Sequence, residues 1–347
     1  EQASCLFLPR RTACTAAKGK GNWGLKIMAN QSLITIGFSS HRLEVLPVVQ
    51  EEMSRHEALV LEDAPEEDFE SFLTGRISAT EYLLDKDVEF PEFARRQLEL
   101  VKSWHNQGKA IVQLEPYQQK LIRIHELLAA GHPREEVENR PEFKEVYAAE
   151  SSASRTLLRF YAAAHTAPFA QVVNTVKEFA RADAARFRLR DTLRAEALAP
   201  LSRRFPRLYV EAGYIHLFLL KALRRLVSAT VRLVPKFVLA SRSGAALGRP
   251  RPLGPGDLLT LHYIFGSPLA WEKEDLLAAR SLIHIQLLNK SEMAPGSDPT
   301  PHLTDEIKAY RLSRRLSYED CAALYPQVRK APPEEGNVQK VLQKEMT

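Results

Sequence analysis

The chain has few cysteines and lacks the short motifs of several large enzyme classes. Its three cysteines, Cys5, Cys14 and Cys321, are too few for a disulfide framework and do not have zinc-finger spacing. There is no Walker-type phosphate loop, no His-Glu-x-x-His zinc motif and no Gly-x-Ser-x-Gly nucleophile elbow. Motifs therefore do not assign the chain to these classes, and the cysteine count favours a reducing, cytoplasmic setting.

The sequence also lacks a long uncharged apolar run. The apolar helical segment expected after His216 is interrupted by Lys221, Arg224 and Arg225, which argues against a membrane span. Acidic residues are scarce in 203–251, where eleven basic residues accompany one acidic residue, Glu211. Because no aromatic residues interleave with these basic ones in the manner of a nucleic-acid reader, we expect no specific nucleic acid partner. Peripheral contact with an anionic membrane is compatible with this basic segment.

The length and composition suit one large globular unit with flanking segments. The chain has 347 residues, of which 45% are hydrophobic. Residues 1–27 form a basic extension that we expect to be disordered, and Met28 is expected to open the folded part. We assign 28–290 to a single α/β domain, 291–330 to a linker and small C-terminal helices, and 331–347 to a disordered tail.

Short β-branched and apolar runs alternate with helical segments along the domain. The runs lie at 32–38, 57–61, 109–114 and 207–212, and the segments between them have helical spacing and helix-capping residues. After the last run, we expect a helix that continues towards Pro235. This alternation predicts an α/β fold with a mixed, largely parallel sheet that is heavily covered by helices.

Ionisable residues follow the predicted strands at the points where the strands end. Gly37 closes the first run and is followed by His41. Glu62 and Glu115 end the second and third runs. The fourth run carries Glu211 before the turn at Gly213 and His216. Because the carboxyl ends of parallel strands meet at one edge of a sheet, we expect these groups to lie together. A carboxylate at a buried strand end needs a metal, an arginine or a substrate cation as its partner.

These residues permit hydrolytic chemistry with or without a metal ion. His41, Glu62 and His216 are a candidate set of ligands for a divalent metal, and Gly37 and Gly213 are candidate turns for a cofactor or anion. Without a metal, a carboxylate beside a histidine can still transfer protons. The same residues can also be structural pairs. The full set of candidate catalytic residues is His41, Glu62, Glu115, Arg190, Glu211 and His216.

The order of these motifs resembles the TraB/GumN/PrgY group, which includes the Tiki proteases, and more distantly the ChaN-like and erythromycin-esterase-like proteins. The matching pieces are Gly37 with His41, Glu62 after its strand, the helix with Arg190, and Gly213 with His216. His41 stands one residue beyond the family's histidine position, and two residues separate Gly213 from His216. The resemblance implies a TraB/ChaN/erythromycin-esterase-like fold and metal-dependent hydrolysis, with the two histidines and Glu62 at the metal.

Three functions follow as hypotheses. The first is a hydrolase of peptide, ester or lactone bonds that acts on a small-molecule or peptide substrate. The second is a non-catalytic ligand-binding or regulatory protein, for example one that binds haem through His216. The third is an interaction module that uses the basic 203–251 surface.

Overall fold

The computed structural model of the chain describes residues 32–84 and 86–330, and the predicted 1–27 extension and 331–347 tail lie outside them. Five strands in this part of the chain form one sheet. They are β1 (Leu33–Ser39), β2 (Ala58–Leu61), β3 (Ala110–Gln113), β4 (Arg207–Gly213) and β5 (Arg232–Phe237).

All the strand pairs within the described residues are parallel, and the strands lie in the order β3-β2-β4-β1-β5. The carboxyl ends of β2, β4 and β1 are therefore side by side at one edge of the sheet, with β3 next to β2. This edge is where open α/β sheets place their sites. The predicted α/β class is confirmed, and the predicted largely parallel sheet is parallel throughout the described part.

Helices cover both faces of this sheet. In chain order they are α1 (Leu46–Ser54), which follows a 3-10 turn at Leu43–Val45, α2 (Phe69–Leu73), α3 (Ala79–Leu83), α4 (Pro91–Asn106), α5 (Pro116–Ala129), α6 (Arg134–Asn139), α7 (Lys144–Thr166), α8 (Phe169–Leu198), α9 (Leu201–Arg204), α10 (Leu217–Leu226), α11 (Ala240–Leu247), α12 (Pro255–Phe265), α13 (Trp271–Leu287), α14 (Pro301–Ser313) and α15 (Tyr318–Lys330). None of the helices in the described residues is long and apolar enough to cross a membrane.

Alternate residues of each strand point to opposite faces and so build two cores. Tyr209 of β4 packs with Leu59 and Leu61 of β2 in the core beneath α1, α2 and α4. Val210 of β4 packs on the other face, in a core that includes Leu198 of α8. The period of two in the strand sequences thus decides which residues each helical layer covers.

Gly37 lies inside β1 and not in the turn that its sequence context predicted. It is paired in register with Glu211 of β4. A Cβ atom at this position would lie 1.9 Å from the hydroxyl oxygen of Tyr209, so only glycine leaves room for that ring. The close approach of Tyr209 therefore supplies a packing reason for Gly37.

The strand β5 was missed by sequence reasoning, which expected the helix after His216 to continue towards Pro235. The helix α10 instead ends at Leu226, and the chain turns back to form β5 on the edge of the sheet. Proline is tolerated in an edge strand because one side of that strand makes no ladder hydrogen bonds. Pro235 and the flanking charges obscured the strand pattern.

The C-terminal helices pack into the same body as the sheet. Leu303 and Ile307 of α14 lie in the core beneath α1 and α4, and Cys321 of α15 packs with residues of α8 and α13. The buried carboxylate of Glu44 accepts hydrogen bonds from the backbone N–H groups of His302 (3.0 Å) and Leu303 (2.8 Å) at the start of α14. Residues of the 301–330 segment therefore share the hydrophobic core of the α/β domain.

Candidate functional site

The predicted meeting of strand ends is present at the carboxyl edge of the sheet. Glu62 follows β2, Glu115 lies two residues beyond β3, and β4 carries Glu211 and ends at Gly213. The helix α8 crosses this edge and contributes three further charged residues, Arg190, Asp191 and Arg194. We define the inner cluster by six residues that contact one another there: Glu62, Glu115, Arg190, Asp191, Arg194 and His216.

Glu62 is the centre of the inner cluster. Its Oε1 lies 3.0 Å from Nη2 of Arg190 and 3.0 Å from Nε2 of His216, and its Oε2 accepts a 2.8 Å hydrogen bond from the N–H group of Gly213. Burial alone would raise the pKa of Glu62, but His216, Arg194 and Arg190 outweigh it and hold that pKa well below the ordinary value. Glu62 is therefore a permanent anion in the folded protein.

His216 is held between two carboxylates. Its Nδ1 lies 2.5 Å from Oδ1 of Asp191, and its Nε2 faces Glu62. Burial opposes a charge on this ring, but Glu62 and Asp191 outweigh it and raise the pKa of His216 to about 9. The imidazole is thus doubly protonated near neutral pH. Asp191 also accepts a 2.9 Å hydrogen bond from the N–H group of Leu219, which anchors the first turn of α10.

Two arginines of α8 connect the inner cluster to the strand ends. Arg194 is fully buried and donates hydrogen bonds to the backbone oxygens of Leu114 (3.1 Å) and Leu61 (3.2 Å). Arg190 reaches Glu115 with its Nε at 3.1 Å, although this contact lacks the alignment of a hydrogen bond. Burial raises the pKa of Glu115, and Arg190 and Arg194 offset that rise only in part. The helix therefore supplies the cations that the strand-end carboxylates require.

Glu211 lies at the same edge but has a neutral partner. Its Oε1 accepts a 2.8 Å hydrogen bond from Nε2 of Gln97 in α4, and no ion pair to Glu211 occurs in the described part of the chain. Burial raises the pKa of Glu211 to about 8, the carboxyl group of Asp63 adds to the rise, and the hydrogen bond from Gln97 opposes it. Glu62 and Glu211 are thus neighbouring carboxyl groups in opposite protonation states at neutral pH.

His41 lies outside the inner cluster. Its exposed ring stacks on Phe93 of α4 at 5.6 Å between centroids, and its nitrogens form no hydrogen bonds within the described residues. It lines a cavity of about 320 Å³ at the carboxyl ends of β1 and β4, which we call the edge cavity. Other residues that line the edge cavity are Ser39, Gly213, Tyr214, Leu253 and Glu306.

Glu306 of α14 is another ionisable group of the edge cavity, which Asp257 of α12 and His284 of α13 also line. Burial raises the pKa of Glu306 to about 8, the positive charge of Arg42 opposes the rise, and Glu44 adds to it. Glu306 is therefore mostly a neutral acid at neutral pH. The ring of His41, which forms no hydrogen bond within the described residues, and a protonated carboxyl group thus line one cavity at the sheet edge.

The residues of the predicted metal set do not fit a metal ion as they are arranged. Both oxygens of Glu62 and both nitrogens of His216 are bound within the inner cluster, and His41 lies apart from them. In 32–84 and 86–330, no group of three His, Cys, Asp or Glu side chains is gathered so that it could hold a metal. For the same reason, axial ligation of haem would require His216 to leave a carboxylate.

Sequence reasoning did not select three residues that shape the site, which are Arg194, Gln97 and Glu306. Arg194 lies four residues after Arg190, so the helical period already places the two arginines on one face of α8. Gln97 and Glu306 carry no comparable signal, because their partners are distant in the chain. Gln97 and Glu306 reach the site only because α4 and α14 pack against the sheet in the folded protein.

Comparison with known proteins shows one extensive similarity. A protein from Archaeoglobus fulgidus, described as an uncharacterized protein, is 31% identical over 292 residues, which are 83% of this chain and 96% of that protein. No family model matches the chain. No solved structure matches it either.

Proposed function

The chain belongs to the same family as the uncharacterized protein of Archaeoglobus fulgidus, and from this premise we propose that it is a hydrolase of peptide, ester or lactone bonds. The observation that supports this proposal best is that His41 and Glu306 line the same edge cavity. The cavity opens at the carboxyl edge of a parallel sheet, and its volume is at the lower end of the range for small-ligand sites, about 300–1,000 Å³. Its substrate would be a small molecule or the end of a peptide.

In the proposed reaction, His41 is the general base and Glu306 is the general acid. His41 accepts a proton from a water molecule, whose oxygen attacks the carbonyl carbon of the substrate. Glu306 donates its proton to the leaving nitrogen or oxygen as the bond to the carbonyl carbon breaks. The proton on His41 then returns to Glu306 through solvent. Burial keeps Glu306 protonated near neutral pH, which is the form that a general acid needs.

The inner cluster positions this site and does not itself turn over substrate in the proposal. Glu62 fixes the N–H group of Gly213, which is part of the cavity wall. Arg190 and His216 contact Glu62 and hold it in place, and Glu115 in turn holds Arg190. Glu211 supports the same edge through Gln97. These residues were expected to be catalytic, and we propose that they are positioning residues.

The activity is tested with a panel of chromogenic esters, a lactone and a peptide mixture. We expect His41→Gln to lower kcat by about 10²–10⁴-fold, the usual contribution of a general base. His125→Gln, an exposed histidine of α5, is the matched control and should leave kcat unchanged. If wild-type protein hydrolyses none of these compounds, or if His41→Gln retains the full rate, the hydrolase proposal is wrong.

Metal dependence, which the TraB-like resemblance implies, stays a prediction. It is checked by elemental analysis of the purified protein and by repeating the assay with a chelator. No step of the proposed reaction runs through a metal, so we expect the rate to survive chelation. Loss of the rate on chelation and its recovery with a divalent cation would show that the inner cluster rearranges around a metal.

A non-catalytic ligand-binding protein is the second candidate. It is favoured by the closed pairing of the inner cluster, in which Glu62, Glu115 and Asp191 face Arg190, Arg194 and His216. Such a cluster stabilises the fold, and its paired side chains are not free to bind a metal ion or act on a substrate. If haem is the ligand, the wild-type protein with haem added should show a visible absorption band that is absent in His216→Ala. If the wild-type protein shows no such band, haem is excluded as the ligand.

The third candidate, an interaction module, rests on the basic 203–251 surface. The exposed basic residues of this surface include Lys221, Arg224 and Arg225 of α10 and Arg203 and Arg204 of α9. Sedimentation with anionic vesicles at low and high salt tests this role, since such binding weakens as salt rises. A cytoplasmic location is part of the proposal and is supported by the low cysteine content.

A further inference from the structure

A second cavity lies on the far side of the α12 amino terminus from the edge cavity. It has a volume of about 310 Å³ and shares no lining residue with the edge cavity. We call it the arginine cavity because three arginines line it, one shortly after α11, one on α13 and one directly after α14. Its lining residues are Arg249, Arg280, Arg314, Tyr310, Leu258, Leu277 and Pro255.

Two of the three guanidinium groups lie near one aromatic ring, that of Tyr310. The Cζ atoms of Arg249 and Arg314 lie 5.4 Å and 5.8 Å from the ring centre of Tyr310. Arg280 is held in place by its Nε, which donates a 2.8 Å hydrogen bond to the backbone oxygen of Leu316. That bond leaves the terminal nitrogens of Arg280 available to a ligand.

Within the described residues, no carboxylate forms an ion pair with Arg249, Arg280 or Arg314. Burial lowers the pKa of Arg280, and the positive charge of Arg314 adds to the decrease, while Cys321 and Tyr310 oppose it. The three arginines therefore differ from Arg95, Arg181 and Arg186, which pair with nearby acids.

We propose that the arginine cavity binds a small organic phosphate, with the phosphate group among Arg249, Arg280 and Arg314 and a compact apolar body against Leu258 and Leu277. Guanidinium groups match the geometry of phosphate oxygens and form charge-assisted hydrogen bonds with them. Three cations suit a dianion better than a carboxylate, which one arginine satisfies through two parallel bonds. The volume of the cavity limits the ligand to a monophosphate with a small body.

The proposal is tested by isothermal titration calorimetry on the full chain, with phenyl phosphate, inorganic phosphate and benzoate as probes. We expect phenyl phosphate to bind at least tenfold more tightly than either inorganic phosphate or benzoate. Arg314→Gln and Arg249→Gln should each weaken phenyl phosphate binding by about 10-fold or more, which is the usual effect of losing a hydrogen bond between charged groups. Both arginines are exposed at the surface, so these variants should fold.

Arg315→Gln is the matched control. It removes the same charge from the next residue along the chain, which is exposed and does not line the cavity. The control should bind phenyl phosphate like the wild-type protein. The proposal is overturned if phenyl phosphate produces no binding heat at millimolar concentration, if benzoate or inorganic phosphate binds as tightly, or if Arg315→Gln weakens binding as much as Arg314→Gln.

Discussion

At the scale of single residues, the site depends on where each charge finds its partner. Glu62 meets Arg190, His216 and the N–H group of Gly213, so it is ionised, whereas Glu211 meets only the neutral amide of Gln97 among the described residues. The two residues have the same side chain. Their different surroundings, which arise from different helices, separate their proton affinities and hence what each can do.

Arg194 offers a direct test of the inner cluster. Arg194→Met should lower the free energy of unfolding by about 3–5 kcal/mol, because it leaves buried carboxylates short of a cation. It also leaves the backbone oxygens of Leu61 and Leu114 without their donor. Urea denaturation measures the change. Arg188→Met, at an exposed position of the same helix, should cost less than about 0.5 kcal/mol. Equal costs for the two variants would contradict the role given to Arg194.

The pH dependence of stability follows from three raised pKa values. His216 has a pKa of about 9 against 6.5 ordinarily, and Glu211 and Glu306 each have a pKa of about 8 against 4.5. The folded protein therefore holds protons that the unfolded chain releases, so each contribution to stability is complete below the unfolded pKa and disappears as the pH rises through the folded pKa. We expect the free energy of unfolding to fall between pH 6 and pH 9.

Glu211→Gln isolates the contribution of Glu211 in that experiment. The glutamine keeps the acceptor oxygen for Gln97 but does not titrate, so the fall of stability with pH should be shallower and retain only the parts due to His216 and Glu306. Urea denaturation at several pH values checks both statements. A wild-type stability that stays constant from pH 6 to pH 9 would contradict them, as would identical pH profiles for the two proteins.

At the scale of elements, α8 organises the molecule. It supplies the two buried cations of the inner cluster, and through Asp191 it also fixes the start of α10 and the orientation of His216. Its residues Val172 and Ala180 pack with α13, and its residue Leu198 packs beneath the sheet. One helix therefore couples the chemistry of the sheet edge to the packing of one face of the sheet and of the core around α13.

Asp191→Asn tests this coupling. Loss of the negative charge beside Nδ1 should lower the pKa of His216 by about 1–3 pH units, the usual effect of an opposite charge at this distance. Titration followed by NMR of the His216 ring measures the change. Glu196→Gln, an exposed position of α8, should leave that pKa unaltered. An unchanged pKa in Asp191→Asn would mean that Glu62 alone holds the proton on His216.

At the scale of the whole molecule, the C-terminal helices complete the fold. Glu44 accepts hydrogen bonds from the first N–H groups of α14. Glu292 accepts hydrogen bonds from the N–H groups of Glu92 and Phe93 at the start of α4. Each capping acid comes from a distant part of the chain. These reciprocal caps tie the end of the described chain to its beginning, and they place Glu306 at the edge cavity.

Leu303→Ala tests whether α14 belongs to the same cooperative unit as the sheet. Leu303 is 3% exposed in the core beneath α1 and α4, so the truncation should lower the global free energy of unfolding by about 2–5 kcal/mol. Leu226→Ala, at a residue that is 47% exposed, should cost less than about 0.5 kcal/mol. Thermal or urea unfolding provides the measurement. A separate, earlier transition of α14 alone would contradict a single unit.

The sequence by itself determined the local parts of this protein. The α/β class, the four strands β1–β4 and the carboxylates Glu62 and Glu115 at strand ends follow from short β-branched and apolar runs and from the cost of burying a charge, which are properties of neighbouring residues. Tertiary structure decided the rest. The edge strand β5, the packing of Tyr209 over Gly37, the separation of His41 from the inner cluster and the arrival of Gln97 and Glu306 all join residues that are distant in the chain. Such contacts depend on how helices dock on the sheet, and hydrophobic packing selects that docking without leaving a local pattern in the residues it brings together.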